Sequence, residues 1–528
     1  MPHRLRFSVS CLQHLSLLLA FVSQSLASPT HSQSPGSPVK HFPATADIPG
    51  FSLRLGSDTA SVCNSSTPGV AGFVDTTDGD DESHLFFWLF ESKHRPFNDP
   101  VILWMSGSVF LAVSRASSTG YGNLMELGPC RIAREGGYTI DNPHGWNTNA
   151  TLIFVDQPVS VGYSTGSKIP NGLQEASQTM DRFLRQLMIA FPQYSSLDFY
   201  IAGESYGGSW VPALASTILD NQANSHDTNS RNVDLHSAAS EFSVQNNEHH
   251  WAGDHSPVHL PSRVPLINLK GILIGNGLIR LRIQNPGNFE ALCSGPDSLL
   301  STSQCIEWAP LNLWCEQNLG VCEGTGDDEG WTSRACIETH EKCSSMSGYV
   351  VDKLRRNPYD WRRSCGDGPS EECYAELGHI DAFLNQTKVK VALGVNEDAS
   401  FEGISYEILK QWESVGDLWK SSDEYINRLL DEGIRVLIYV GDKDLYCNAA
   451  GMRRLVNEGL AWHGHPFFRF REMTLWYHDA KVAGRWKSYK ELTYAEIFNS
   501  GHLAPFDLPA ESASLINSWV LDGHPPVQ

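Results

Sequence analysis

The chain has 528 residues with 60 acidic and 39 basic side chains, which gives a formal net charge of −21 at pH 7. This charge argues against nucleic acids and anionic membranes as partners, because both are themselves polyanionic. The length exceeds one minimal domain, but it suits a single large α/β core that carries insertions.

The N-terminus has the pattern of a secretory signal peptide. Basic residues lie in the first six positions, an apolar run follows at Leu15–Val22, and Ser25-Leu26-Ala27 is a small-x-small cleavage signal. The run is too short to anchor the chain across a bilayer. We therefore predict that residues 1–27 are removed and that the protein is secreted, or alternatively delivered to the vacuolar lumen.

Two further features fit the secretory route. Residues 28–47 are rich in Ser, Pro and His and are predicted to form a propeptide or a flexible arm. Asn64, Asn149 and Asn385 each begin an N-x-S/T sequence, so they are candidate glycan acceptors.

The first part of the predicted core spans residues 48–286. Apolar stretches at Gly72–Asp75 and His84–Ser92 flank an acidic turn and predict an antiparallel hairpin. Short apolar, β-branched runs at Val101–Met105 and Thr151–Asp156 predict strands that are buried on both faces. The spacing of apolar residues over Glu175–Phe191 predicts an amphipathic helix.

Next comes a strand, then the turn Gly203-Glu204-Ser205-Tyr206-Gly207, then another helix. A G-x-S-x-G turn in this position presents its serine at the carboxyl end of a strand. The serine then stands at the tip of the following helix, where backbone N–H groups can bind an oxyanion. By itself the pattern is weak evidence, and the flanking strand and helix strengthen it.

Two insertions and three more strands complete the pattern. Residues 221–262 are polar and without periodicity, which predicts a mobile surface loop. Residues 287–374 are rich in cysteine and predict a disulfide-stapled cap. Residues 375–528 form the second part of the core. The further strands are predicted at Leu269–Ile274, Arg435–Val440 and Tyr494–Phe498.

This order of elements predicts an α/β fold, with a mostly parallel central sheet and an antiparallel edge hairpin. Two of the strands run into candidate catalytic residues. Asp442 and Asp444 follow one, and His502 follows the other. With Ser205 they give the chain order Ser, Asp, His of α/β-hydrolases, although spacing does not choose between the two aspartates.

The chain resembles the serine carboxypeptidases, and most closely the fungal secreted and vacuolar enzymes. The resemblance covers nearly all of residues 72–520. The motifs that carry it are Phe86–Ser92, Met125–Pro129, Trp146-Asn147, Phe154–Pro158, Gly203–Gly207, Gly275–Gly277, Gly441–Asp444 and Gly501-His502. It implies removal of the C-terminal residue of peptides and proteins through an acyl-enzyme, without metal or other cofactor, and it selects Asp444 as the triad acid.

The resemblance also implies residue roles beyond the triad. Glu126 and Glu204 would bind the substrate's C-terminal carboxylate. Three carboxyl groups held close together must share protons, so binding should weaken as the pair ionises. Cys447 would be an unpaired thiol in the substrate pocket, which Tyr359, Tyr374 and Leu503 would also line.

Eleven cysteines follow the predicted signal peptide, so at least one cannot pair within the chain. The resemblance implies the pairs Cys293–Cys305, Cys315–Cys343, Cys322–Cys336 and Cys365–Cys373. Cys63 and Cys130 are then the remaining couple.

One loop departs from the family pattern. After Val101–Met105 the family carries Asn-Gly-Gly-Pro-Gly, which supplies an oxyanion N–H and an Asn that holds the substrate carboxylate. Here the chain reads Ser106-Gly107 and then Ser-Val-Phe-Leu-Ala-Val-Ser-Arg at residues 108–115. Ser106 takes the Asn position, and the N–H groups of Gly107 and Tyr206 are the predicted oxyanion donors.

Two explanations of this loop stay open. In the first, the gene model reads through a splice junction, so that the true protein has the usual loop. We favour this explanation because the abnormal run is short and its flanks are intact. In the second, the protein is a weakened or inactive relative. Loss of one oxyanion donor costs on the order of 100-fold in rate. An esterase or acyltransferase on the same fold is a further alternative, since it would need no free carboxylate on its substrate.

Overall fold

The computed structural model describes residues 40–526, apart from residues 43–50, 57, 64, 66, 68, 79–80, 108–115, 228–265, 295–297, 325–332 and 366–372. The predicted signal peptide, the acceptor Asn64 and the altered loop at 108–115 therefore lie outside the described residues. The same is true of residues 28–39 and of most of the predicted polar loop.

The strands are β1 Lys40–Phe42, β2 Phe51–Leu55, β3 Gly69–Asp78, β4 Asp81–Phe90, β5 Val101–Ser106, β6 Ala116–Ser117, β7 Cys130–Ile132, β8 Thr139–Asp141, β9 Thr151–Val155, β10 Thr165–Gly166, β11 Phe199–Glu204, β12 Leu269–Gly275, β13 Arg356–Asn357, β14 Asp360–Ser364, β15 Ile404–Ser405, β16 Arg435–Gly441, β17 Thr474–His478, β18 Lys481–Tyr489 and β19 Leu492–Ile497.

The α-helices are α1 Thr119–Tyr121, α2 Leu173–Ala190, α3 Gly207–Asp227, α4 Leu281–Gln284, α5 Pro286–Cys293, α6 Thr302–Gly324, α7 Arg334–Cys343, α8 Ser345–Asp352, α9 Ala375–Leu384, α10 Thr387–Leu393, α11 Tyr406–Ser414, α12 Asp423–Asp431, α13 Ala449–Arg454, α14 His465–Phe468, α15 Ala504–Asp507 and α16 Pro509–Asp522. Short 3-10 turns and two π-helical turns, Gly122–Leu127 and Leu455–Gly459, complete the described elements.

One large sheet has the strand order β1-β2-β3-β4-β9-β5-β11-β12-β16-β19-β18-β17, and β10 pairs with β4. The six strands from β9 to β19 in this order are parallel, and the pairs on either side of them are antiparallel. The predicted α/β fold is confirmed. The predicted hairpin is β3–β4, but β1 and β2 lie outside it, and a second antiparallel pair, β17–β18, was not predicted.

The core lies on both faces of the sheet. Along β5, Val101, Leu103 and Met105 pack into one apolar cluster, while Ile102 and Trp104 pack into the other. Successive side chains of a strand point to opposite faces, so a strand with helices on both sides must be apolar throughout. This is why the central strands could be read from uninterrupted apolar runs.

Two predicted segments differ from the structure. Lys40–Phe42 of the predicted arm pairs antiparallel with β2, so the arm contains a strand. Helix α3 continues to Asp227, so the predicted loop cannot begin at residue 221. The side-chain amide of Asn221 donates to Asp181 at 2.7 Å and stabilises this part of the helix. Because the contact is polar, the spacing of apolar residues does not indicate that the helix continues here.

The cysteine-rich segment contains helices α5 to α8 and the short pair β13–β14. Its disulfides are Cys293–Cys305, Cys315–Cys343, Cys322–Cys336 and Cys365–Cys373, and Cys63–Cys130 lies in the core. The first four are the pairs that the resemblance implied, and the fifth joins the two cysteines that then remained. Disulfides of this kind form in oxidising compartments. None of the helices in the described ranges has the length and apolar character of a bilayer span.

The two glycan acceptors that the structure describes have different surroundings. Asn149 is partly exposed, beyond a 3-10 turn. The Asn385 amide nitrogen donates at 3.0 Å to the carbonyls of Asp381 and Phe401. A glycan on Asn385 would replace one of the two amide hydrogens and so break at least one of these bonds, which disfavours Asn385 as an acceptor.

Candidate active site

Ser205 follows β11 directly and has a φ of 61°, a left-handed conformation that is uncommon for a residue with a side chain. Backbone bonds hold it there: its N–H donates to Gly275 O at 3.1 Å, and its carbonyl accepts the Leu278 N–H at 2.7 Å. Strain that its surroundings enforce is typical of functional turns. The sharp turn predicted from the motif is thus present, and helix α3 starts two residues later.

Close backbone packing explains the glycines of this turn. A Cβ on Gly203 would lie 2.6 Å from the Met105 carbonyl oxygen, and a Cβ on Gly208 would lie 2.4 Å from the Leu278 carbonyl oxygen. A Cβ on Gly207 would come no closer than 3.3 Å to any neighbouring atom. Gly208, just outside the motif, is therefore more constrained than Gly207.

The candidate base and acid are joined in the structure. His502 Nδ1 lies 2.7 Å from Asp444 Oδ2, and both residues are almost completely buried. Asp442 faces elsewhere: it accepts the Asn499 N–H at 2.7 Å and pairs with Lys443. The choice of Asp444 over Asp442, which spacing left open, agrees with this geometry.

Asn276 is a site residue that the sequence reasoning missed. Its amide nitrogen donates to Asp444 Oδ2 at 2.9 Å, and its amide oxygen accepts the Gly441 N–H at 3.0 Å. Its position in the sequence could have indicated this role. Asn276 directly follows strand β12, at the same edge of the sheet as the triad candidates. Asn276 thus connects the end of the strand beside Ser205 to the acid.

Ser205 Oγ is buried and has no hydrogen-bond partner among the described residues. The structure therefore contains the bond between imidazole and carboxylate but no bond from this hydroxyl to the imidazole. Catalytic hydrogen bonds often tighten only when substrate binds. The complete triad stays a prediction.

Gly107, which carries one predicted oxyanion donor, lies against the turn that carries the other. A Cβ on Gly107 would fall 2.3 Å from Gly207 N and 2.7 Å from the Tyr206 carbonyl carbon, so the backbone at Gly107 touches the turn that carries Ser205. Ser106 pairs with Glu204 across β5 and β11, and its hydroxyl accepts the Trp104 indole N–H at 2.9 Å. A site for a developing negative charge could form here.

Glu126 and Glu204 form a buried carboxyl pair, and each is 4% exposed. Burial raises the pKa of Glu126 to about 7, while the hydrogen bond from Glu204 and the charge of Arg131 oppose that rise. Burial and the neighbouring Glu126 together raise the pKa of Glu204 well above its usual value. Both pKa values move in the same direction, because two buried carboxyls that face each other resist ionisation.

One oxygen of each glutamate, Oε2, is buried with no hydrogen-bond partner within the described part of the chain. Buried polar atoms are rarely left unpaired, so these two atoms call for a specific explanation. A bound group that accepts or shares protons would provide one.

The Tyr359 ring packs against His502 and joins it to further aromatic rings. The Tyr359 ring centroid lies 5.3 Å from the His502 ring and 6.0 Å from that of Tyr374. Leu503 is partly buried against the same cluster. Tyr446, which the sequence reasoning did not single out, lies 5.1 Å from Tyr359. The predicted pocket residues are thus brought together into an apolar surface beside the imidazole.

Cys447 is the free cysteine of the described chain, and burial raises the pKa of its thiol well above its usual value. Ligand atoms of Asp444, Cys447 and His502 lie within 4.8 Å of one another, a spacing that a cation could share. However, Asp444 Oδ2 also accepts the Cys447 N–H at 3.1 Å, and metal binding needs a thiolate, which burial disfavours. The hydrogen bonds fit a catalytic acid better than a metal ligand.

The sequence is similar to a known protein family and to individual yeast proteins. A family model described as serine carboxypeptidase matches residues 62–252 and 256–522. Carboxypeptidase Y of Saccharomyces cerevisiae is 33% identical over 459 residues, which cover 86% of this chain and 75% of that protein. Carboxypeptidase Y of Schizosaccharomyces pombe is 33% identical over 453 residues, which cover 85% of this chain but only 41% of that longer protein.

Among solved structures, the chain resembles Kex1(delta)p, described as a prohormone-processing carboxypeptidase from Saccharomyces cerevisiae. The TM-score is 0.69 at 20% sequence identity, and the match covers 91% of this chain and 94% of that one. At this identity the likeness supports the shared fold.

Proposed function

The chain belongs to the serine carboxypeptidase family, and on that premise we propose that it removes the C-terminal residue of peptides through an acyl-enzyme on Ser205, most effectively at acid pH. The observation that carries this proposal is the buried pair Glu126 and Glu204, whose carboxyl groups are hydrogen-bonded to each other beside the Ser205 turn. A nucleophile alone would fit many hydrolases, whereas paired acids next to it fit recognition of a free carboxylate.

In the proposed reaction, His502 takes the Ser205 proton as the hydroxyl attacks the scissile carbonyl carbon. Asp444 orients the imidazole and stabilises the imidazolium that forms. His502 then protonates the leaving amine, which departs as a free amino acid. Water attacks the acyl-enzyme in the same way and regenerates Ser205. The buried hydrogen bond between His502 and Asp444 supports these roles.

The tetrahedral intermediate would place its oxyanion between the N–H groups of Gly107 and Tyr206. The close approach of Gly107 to the turn supports this assignment. Hydrogen bonds fixed in a buried site stabilise such a charge without reorganisation. Cys447, Tyr359, Tyr374 and Leu503 would then surround the side chains of the substrate.

The substrate's C-terminal carboxylate would accept hydrogen bonds from the protonated pair, with Ser106 close to Glu204. Below pH 7 both glutamates hold protons, so they donate. As pH rises through the Glu126 pKa of about 7, its carboxylate forms and repels the substrate carboxylate. Affinity should therefore fall on the alkaline side, and this gives the acid preference a physical cause.

The test is a peptide compared with its own C-terminal amide across pH 3 to 8. At pH 5 we expect kcat/KM for the free acid to exceed that for the amide by about 10- to 100-fold. The amide has no terminal carboxylate, so it loses the charged hydrogen bonds that this group would accept from Glu126 and Glu204. Above the Glu126 pKa, KM for the acid should rise about tenfold per pH unit, as expected for one essential ionisation.

The amide should show no such alkaline rise in KM. Products are identified by mass spectrometry as the peptide shortened by one residue. Equal rates for acid and amide, together with fast turnover of simple esters, would instead favour an esterase or acyltransferase. Cleavage at internal bonds would contradict the proposal.

A further inference from the structure

Arg131 links two parts of the site that are far apart in sequence. Its Nη2 donates to the Glu126 carbonyl at 2.7 Å and to the Pro505 carbonyl at 2.9 Å. Glu126 lies on the π-helical turn Gly122–Leu127, and Pro505 lies in helix α15, three residues after His502. One guanidinium nitrogen therefore ties the loop of the carboxyl pair to the segment that carries the imidazole.

Arg131 is itself held firmly in place. It sits in strand β7, which pairs with β8, and its neighbour Cys130 is bonded to Cys63. Its Nε is buried and has no hydrogen-bond partner among the described residues. Asn142 also donates to the Glu126 carbonyl, at 3.3 Å, so two donors fix this peptide group.

The charges around the pair make Arg131 distinctive. Glu126 faces Glu204, Arg131 and Asp507, and Glu204 faces Glu126, Asp444 and Asp507. Asp507 is occupied elsewhere: it accepts the Gly501 N–H at 2.6 Å and pairs with Arg363 at 2.5 Å. Within the described chain, Arg131 is thus the cation that acts on Glu126.

We propose that Arg131 is a positioning residue: its hydrogen bonds hold the Glu126 turn in place relative to the His502 segment, and its positive charge acts on the Glu126 carboxyl. This inference rests on the proposed carboxypeptidase function. It adds a residue for which no role was inferred from the sequence and which does not need to contact the substrate.

The proposal predicts a separable effect on pH dependence. Without the charge of Arg131, the Glu126 carboxylate is less stable, so the pair keeps both protons to a higher pH. The alkaline fall in kcat/KM for peptide acids should then move upward in pH. We call this alkaline fall the alkaline limb of the pH profile. Loss of a residue that only supports the fold would lower activity at every pH and leave the pH of the alkaline limb unchanged.

The experiment compares R131Q, R131K and the parent on the peptide acid and its amide. For R131Q we expect KM for the acid at pH 5 to rise about tenfold, from the loss of a charged donor to Glu126. Its alkaline limb should move up by about 1 pH unit. The limb of R131K should stay near that of the parent, because lysine keeps the charge.

R134Q is the matched control, because Arg134 is exposed on the turn that follows β7 and its removal should leave both KM and the limb unchanged. A folded R131Q whose limb coincides with that of the parent would overturn the proposal. If R131Q does not fold, R131K provides the test. In that case, an alkaline fall in kcat/KM that lies about 1 pH unit above that of the parent would overturn the proposal. A parent that does not distinguish acid from amide would instead refute the proposed function.

Discussion

Replacing Ser205 with alanine is expected to reduce release of C-terminal residues by on the order of 10⁴- to 10⁶-fold in kcat, because the acyl-enzyme can no longer form. KM should change little, since the carboxyl pair and the aromatic pocket remain. Ser205 is 1% exposed and its hydroxyl has no hydrogen-bond partner in the described part of the chain, so removal of the hydroxyl breaks no bond that supports the fold. The loss should therefore be chemical and not structural.

The measurement is single-turnover and steady-state kinetics on one peptide acid, with thermal unfolding as the check on folding. Ser209 offers a matched control. It lies one turn later, in helix α3, is also buried, and donates to the Leu278 carbonyl at 3.3 Å. Ser209→Ala should retain most of the activity. Equal activity of Ser205→Ala and the parent would show that another residue is the nucleophile.

The second large effect is expected for Asp444→Asn, which should lower kcat by about 10⁴-fold. Asp444 accepts from the Tyr446 N–H at 2.9 Å as well as from Asn276, the Cys447 N–H and His502. Asparagine would turn one acceptor oxygen into a donor. If that donor faces His502, the imidazole takes the tautomer that cannot accept the Ser205 proton, and the imidazolium loses its counter-charge.

Asp442→Asn is the informative control for this change. Asp442 directly follows the same strand but bonds to Asn499 and Lys443. We expect Asp442→Asn to keep most of its activity and to show the pH profile of the parent. The reverse ranking of the two variants would reassign the acid, and it would contradict the network that connects Asn276, Asp444 and His502.

Much of the site could be predicted because its residues follow strands. Ser205, Asp444 and His502 come after β11, β16 and β19, and each of these strands is an apolar run that a sequence displays directly. Parallel strands end at one edge of their sheet, so residues that follow them converge without further information. The glycine-flanked turn added a local signal for the nucleophile.

The parts that were not predicted depend on contacts between distant segments. Arg131 and Pro505 are 374 positions apart, and nothing local marks either one as a partner of the other. From sequence alone, Asn276 is indistinguishable from any other polar residue in a turn, and only its hydrogen bond to Asp444 marks it as part of the site. The edge pair β17–β18 has mixed burial, and its alternation is too irregular to separate it from loops.

The carboxyl pair was predicted in part from sequence, and the rest of its description depends on contacts between distant segments. Family resemblance pointed to Glu126 and Glu204, and the expectation that close carboxyls share protons came from electrostatics alone. The structure adds that both side chains are buried and that the charge of Arg131 acts on Glu126 against the effect of burial. Sequence could not supply the identity of this cation, because it depends on which charged side chain the fold places beside the pair.

The altered loop at 108–115 makes reactivity of Ser205 the central question. The most direct measurement is labelling of the mature protein with a fluorophosphonate, followed by peptide mapping of the adduct. We predict one phosphonylated serine, Ser205, and labelling slower by about 10²-fold or more in His502→Ala, because the general base is lost. A folded protein that remains unlabelled, or one labelled at a different serine, would contradict this account.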